Sequence, residues 1–218
     1  MAEQAKILVA EAEENNLGVK VINERVNRWH ACSLCEQQYH GIVACALGWA
    51  CWKTYGAPEE AILAVQSNIA DTYGKLGQFD RALRMRRIVY SGTLTLEGKE
   101  SSNTLLEANN YASVLVSLER FEDAKSLLRK TMPVVRRVLG EGHRLTLKIR
   151  KNYARALYND DAATLDDLRE AATTLEDVAP NARRVFGGAH PLTAAIEDDL
   201  RAARAALRAR ETAPSGSA

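Results

Sequence analysis

Beyond about residue 60, apolar residues return every three or four positions, as at Leu115 and Leu118 or Ala124 and Leu128. That spacing places them on one face of a helix. Polar and glycine-containing breaks divide the pattern, and it predicts helices over 61–76, 79–96, 103–118, 121–139, 145–158, 163–186 and 190–210. Gly77, Gly140 and Gly187–Gly188 fall at the expected ends, where glycine accepts a left-handed cap. Pro191 suits a first helical turn, whereas Pro133 lies inside the fourth expected helix and predicts a bend there.

The helices recur in pairs. Asn68-Ile69-Ala70, Asn110-Tyr111-Ala112 and Asn152-Tyr153-Ala154 stand 42 residues apart. Phe79 and Phe121, Ala82 and Ala124, and Thr104 and Thr146 share that step. A period near 40 built of helix pairs marks a solenoid, in which each unit buries its apolar face against the next. The third unit is longer, because VLGEGHRLT (138–146) returns as VFGGAHPLT (185–193) after 47 residues. The extra residues are expected in the polar stretch Asn159–Ala163, between two helices. In the last helix Asp199 and Arg201 replace the repeated Asn and Ala, so that helix reads as a polar cap.

Units that run N-x-A, then GQFDRAL or ERFEDAK, then V-L-G-x-x-H-x-x-T resemble tetratricopeptide repeats. The 42-residue length and the Leu-Gly…His…Thr linker are similar to the kinesin light chain type. The resemblance covers about 60–210 and departs from the pattern at Glu119, where a small turn residue is usual, and at the insertion in the third unit. It implies an all-α, right-handed α-solenoid over 58–210, about three units plus a capping helix. An irregular helical block, 1–57, precedes the repeats, and a disordered tail, 211–218, follows. Within the block, CALGWACWKTYG (45–56) reads as a first repeat helix standing only 22 residues before its successor. No heptad pattern for pairing with a motor chain accompanies the repeats.

Composition narrows the functional classes. The chain has 218 residues, 46% of them apolar and 26% charged, with a net charge of +1. Near neutrality gives no electrostatic case for nucleic-acid or acidic-membrane binding. The arginines at 81, 84, 86 and 87 and at 201, 204, 208 and 210 read as solvated helix faces. No signal-peptide pattern and no run of the roughly 20 apolar residues that a span needs is present, so a cytoplasmic protein is expected.

Chemistry-bearing motifs are few. Cys32-x2-Cys35-x4-His40-x4-Cys45 has the ligand types and spacing of a zinc knuckle. Glycine is absent from its loop and basic residues from its flanks, and Cys45 runs on into an Ala-rich helix, so the simpler reading is small buried or reduced cysteines. No cofactor is expected beyond the single structural zinc this cluster could hold. A zinc-containing nucleic-acid-binding module, with the repeats as scaffold, is the rival function. His143 and His190 share one repeat position and read as structural, and no phosphate loop, metalloprotease motif or nucleophile elbow is present. The expectation is therefore no enzyme.

The resemblance places the asparagine ladder on the concave face, where it implies contact with an extended peptide. An amide both donates and accepts, so a row of amides suits peptide backbone. The expected groove comprises Asn68, Asp71 and Lys75, then Asn109, Asn110 and Ser113, then Lys151, Asn152 and Arg155, with Ser67 beside them. The competing expectation is that the asparagines satisfy neighbouring repeats or face water. A protein or peptide partner is expected, and its identity is not legible.

Overall fold

The computed structural model describes residues 59–212, which form seven α-helices. The expected N-terminal block, its boundary at 57/58, the Cys/His cluster and residues 213–218 lie outside the described residues. Two compact bodies divide the chain, 1–92 and 93–218.

In the first body, α1 (Glu59–Lys75) and α2 (Phe79–Glu97) meet at the turn around Gly77, which has φ +70°. Leu63 and Ala70 of α1 and Ala82 and Val89 of α2 are buried. Arg86 of α2 is buried as well, and its guanidinium donates to Ser67 Oγ at 2.7 Å and to the Asp71 carboxylate.

The second body holds the end of α2 followed by α3 (Ser102–Ser117), α4 (Phe121–Leu139), α5 (Arg144–Tyr158), α6 (Leu165–Phe186) and α7 (Pro191–Thr212). Side chains cap the starts of α3, α5, α6 and α7. Ser101 Oγ accepts from the Asn103 N–H at 3.2 Å. Thr164 and Asp167 form a reciprocal capping box. His143 Nδ1 accepts from the Leu145 N–H at 3.2 Å, and His190 Nδ1 from the Leu192 N–H at 3.0 Å, which gives the recurring histidines their structural role. Gly98, Gly140 and Gly187 take positive φ at three matching helix ends, at +80°, +82° and +83°. Glu119 occupies the turn position that matches Gly77 and is forced to φ +58°. α4 runs unbroken through the exposed Pro133, and α6 runs through Pro180 at the matching place. α7 extends to Thr212, two residues past the expected close of the repeats.

Leu105, Leu128, Leu147, Ile149, Leu157, Leu175 and Ile196 share one continuous core. Fully buried alanines stand on successive helices, Ala112 on α3, Ala124 on α4, Ala154 on α5 and Ala171 on α6. Side chains this small let neighbouring helix backbones approach closely. α3 packs on α5 and α5 on α7, while α4 and α6 both pack on α5 and have no comparable contact with each other. This body therefore curves with α3, α5 and α7 on its inner side.

The insertion in the third unit is the turn between α5 and α6, as expected, and it is anchored from two sides. Buried Lys125 of α4 donates to Asp160 Oδ2 at 2.9 Å and also pairs with Glu122. Arg210 of α7 donates to the Ala163 carbonyl at 2.9 Å. Burial works against the Lys125 ammonium, yet its bonds to Glu122 and Asp160 outweigh that and hold its pKa above the ordinary value. The hydrogen bond from Lys125, with a further one from the Ala162 N–H, holds the Asp160 carboxyl below the ordinary carboxylate value.

Substitutions at matching positions test this packing. Ala154→Leu overfills a closed site and lowers unfolding free energy by about 1–3 kcal/mol in urea titrations. Arg201→Leu, at the matching but exposed place on α7, changes it by less than about 0.5 kcal/mol. For Asp160 the folded pKa lies below the unfolded one. Its contribution is therefore complete above about pH 4 and drains away as pH falls through the folded value. Lys125→Met removes the cause, so the loss of stability measured between about pH 5 and pH 2 becomes smaller than in the wild type.

Candidate functional site

On α5, every residue that keeps solvent access lies on one face: Arg144, Lys148, Lys151, Arg155 and Tyr158. The other ten residues of the helix are buried. α4 and α6 cover its back, while α3 and α7 cover its flanks. The open face therefore looks to the inner side, and four of its five side chains are cationic. At about 1.5 Å per residue the stripe from Arg144 to Arg155 is about 16 Å long. Among the described residues, neither Arg144 nor Lys148 has an anionic partner.

The flanking helices differ in character. The residues 42 positions before Lys148, Asn152 and Arg155 are Leu106, Asn110 and Ser113 on α3, a neutral strip. Leu106 is exposed, and Asn110 and Ser113 are half-buried. Those 47 positions after are Ala195, Asp199 and Ala202 on α7, two small residues around one acid. The inner face thus has a cationic centre, a neutral amide side, and a side where alanines leave room beside the acid.

The expected groove residues behave unequally. Asn109 and Asn152 are buried, at 6% and 8% exposure, and Asn152 Nδ2 donates to Asn109 Oδ1 at 3.0 Å. Part of the ladder therefore joins one repeat to the next. The Asn110 amide forms no side-chain bond within the described residues and stays half-buried on the inner face. Lys151 and Arg155 both face Asp199, with Lys151 Nζ 3.7 Å from Oδ2 and Arg155 Nε 3.9 Å from Oδ1. In the first body Asn68, Asp71 and Lys75 are exposed on α1, with Asp71 drawn to Arg86.

Burial, helped by the neighbouring Arg155 and Lys148 charges and opposed by Asp199, lowers the Lys151 pKa from its ordinary value. Burial, with the hydrogen bond donated to Asp199 Oδ1 at 2.7 Å, pushes the Tyr158 phenol up. Sequence reasoning missed Arg144, Lys148, Tyr158 and Asp199 as members of this face. The signal was there for three of them: 144, 148, 151 and 155 follow helical spacing, and 199 is the fourth rung of the ladder.

Residues 108–145, from the middle of α3 through α4 to the start of α5, match the tetratricopeptide repeat family. That stretch reads as one tetratricopeptide repeat. Its fold is similar to BtubC (BKLC) from P. vanneervenii, at 14% identity and a TM-score of 0.57, over 100% of this chain and 93% of that one. It is also similar to the nearly identical repeats described as those of a Podosopora anserina kinesin light chain. A point variant of those repeats is 18% identical with a TM-score of 0.62, over 96% of this chain and 87% of that one. A second structure of the same repeats is 19% identical with a TM-score of 0.60, over 96% and 88%. At such identities the likeness is one of fold. No curated protein matches the chain by sequence. Among the described residues, no group of three or more His, Cys, Asp or Glu could hold a metal. No described helix is long and apolar enough to cross a membrane.

The two asparagines separate by role in a stability measurement. Asn152→Leu leaves the Asn109 acceptor buried without its donor and lowers unfolding free energy by about 1–3 kcal/mol. Asn110→Leu changes it by less than about 0.5 kcal/mol, since no intramolecular bond is lost. Chemical denaturation of the two variants checks the difference.

Proposed function

We propose that the chain is a non-catalytic cytoplasmic adaptor that holds an extended, acidic peptide of a partner protein along the inner face of α3, α5 and α7. The observation that carries this reading is α5, whose whole accessible face is cationic apart from Tyr158. Tetratricopeptide domains typically serve protein–protein interaction, and the charge of this face narrows the partner's chemistry. Carboxylates along a strand would meet Lys148, Lys151 and Arg155, and complementary charge guides both encounter and selection.

Peptide backbone supplies the second half of the fit. The unengaged Asn110 amide offers a donor and an acceptor beside the cationic stripe, enough to clamp a peptide group without reading its side chain. In the first body, Asn68 presents the matching amide in the open. A stripe of about 16 Å matches about four to five extended residues at about 3.3 Å each. Such a contact area is small, so affinity from one groove is modest and a second attachment would add avidity.

Selection of random dodecapeptides on the immobilised chain tests this directly. Retained peptides are expected to be rich in Asp and Glu, and to bind more weakly as salt rises. Asn110→Leu should weaken them about three- to tenfold, the range of one lost hydrogen bond. Lys148→Glu should weaken acidic ligands more than neutral ones. Retention of neutral or basic sequences, or indifference to both substitutions in folded protein, would overturn the assignment.

A further inference from the structure

The fourth rung of the amide ladder is a carboxylate with one close hydrogen-bond partner. Asp199 Oδ1 accepts from the Tyr158 hydroxyl at 2.7 Å. Oδ2 is buried without any hydrogen-bond donor, and the nearest cation, Lys151 Nζ, stands 3.7 Å away. Arg155 Nε is 3.9 Å from Oδ1. Charge-assisted bonds normally close to about 2.7–2.9 Å. Lys125 does so on Asp160 at 2.9 Å, and Arg204 on Glu176 at 2.7 Å. Asp199 balances the charge of Lys151 and Arg155 without being bonded to either.

Its neighbours leave that balance incomplete. Lys148, Lys151 and Arg155 share one face of α5, and only Lys151 and Arg155 confront this carboxylate. The next acid along α7, Asp198, is exposed and paired with Arg201. Alanines 195 and 202 flank Asp199 at about one turn on either side, so its immediate neighbours on that face of α7 are small. The rungs matching Asp199 on the earlier helices, Asn110 and Asn152, are neutral.

We propose that Asp199 is an internal competitor that sets the selectivity of the groove: it holds Lys151 and Arg155 when the face is empty and opposes any carboxylate arriving there. This rests on the peptide-binding reading above and adds a direction to it. A ligand with a single acid gains little, because it meets a pair already half neutralised. A ligand bearing several acids engages Lys148 and Arg144 as well and overcomes the opposition.

Fluorescence anisotropy with two labelled dodecapeptides, alternating Glu-Ala and its Gln-Ala counterpart, tests the proposal on the full chain. Asp199→Asn, which keeps an acceptor for Tyr158, should bind the Glu peptide roughly five- to tenfold more tightly than wild type, with a steeper salt dependence. The Gln peptide should be unaffected. Asp199→Ala should shift the Glu peptide in the same direction, which separates removal of charge from addition of a fourth amide. Melting followed by circular dichroism keeps unfolding from imitating an effect. Equal or weaker binding of the Glu peptide by both folded variants overturns the competitor role, as does a parallel change for both peptides, the mark of a merely structural residue. If wild type binds the Glu peptide and the variants bind it no better, only the role of Asp199 falls. If neither wild type nor variants bind either peptide, the groove reading falls with it.

Discussion

Close approach of helices through buried alanines is the constraint on which the second body depends. Ala112, Ala124, Ala154 and Ala171 are fully enclosed, so the backbones they separate can pack closely on each other. That closeness seals α5 on every side but one. Ten of its fifteen residues go into the core and the seams, and five remain accessible. The chemistry of the inner face at its centre is then decided by five side chains. Four of them are basic, and this decides the character of the site more than the near-neutral composition of the whole chain does.

The same packing gives the polar seam a regular form. Asn152 reaches back to Asn109, and Asp199 to Lys151. In each case a ladder residue meets the residue just before the previous rung, 43 and 48 positions earlier. The last two steps are thus each stitched on the inner edge by one polar contact. Where both partners are amides the contact is a hydrogen bond at 3.0 Å, and where they are ions it opens to 3.7 Å. A repeated asparagine therefore serves two ends. Asn152 spends its donor inside the fold, whereas the Asn110 amide remains available to a ligand.

Much of this was legible from spacing alone. The 42-residue step located the helix pairs, the histidine caps fell where the Leu-Gly…His…Thr linker placed them, and the extra residues of the third unit lie in the polar turn at Asn159–Ala163. What a one-dimensional period cannot give is which atoms of a repeated residue are already engaged. Asn110 and Asn152 hold the same position in successive units, and the bond from Asn152 to Asn109 makes the second one structural. The anchor of the insertion was hidden for a similar reason. Lys125 stands 35 residues from Asp160, with neither period nor motif joining them.

Two lysines of this body are set in opposite electrostatic surroundings. Both are largely shielded from water, and burial disfavours the charge of each. Lys125 is compensated by close bonds to Glu122 and Asp160, and its pKa ends above the ordinary value. Lys151 has Asp199 at 3.7 Å and the like charges of Arg155 and Lys148 beside it, and its pKa ends below. A half-buried cation without close bonds weakens a fold. The Lys125 cluster works for the folded state, and the Lys151 cluster works against it. A bound carboxylate would reverse that sign by providing the missing acceptor among Lys148, Lys151 and Arg155. The surroundings that disfavour the Lys151 charge are therefore ones that an acidic partner would offset.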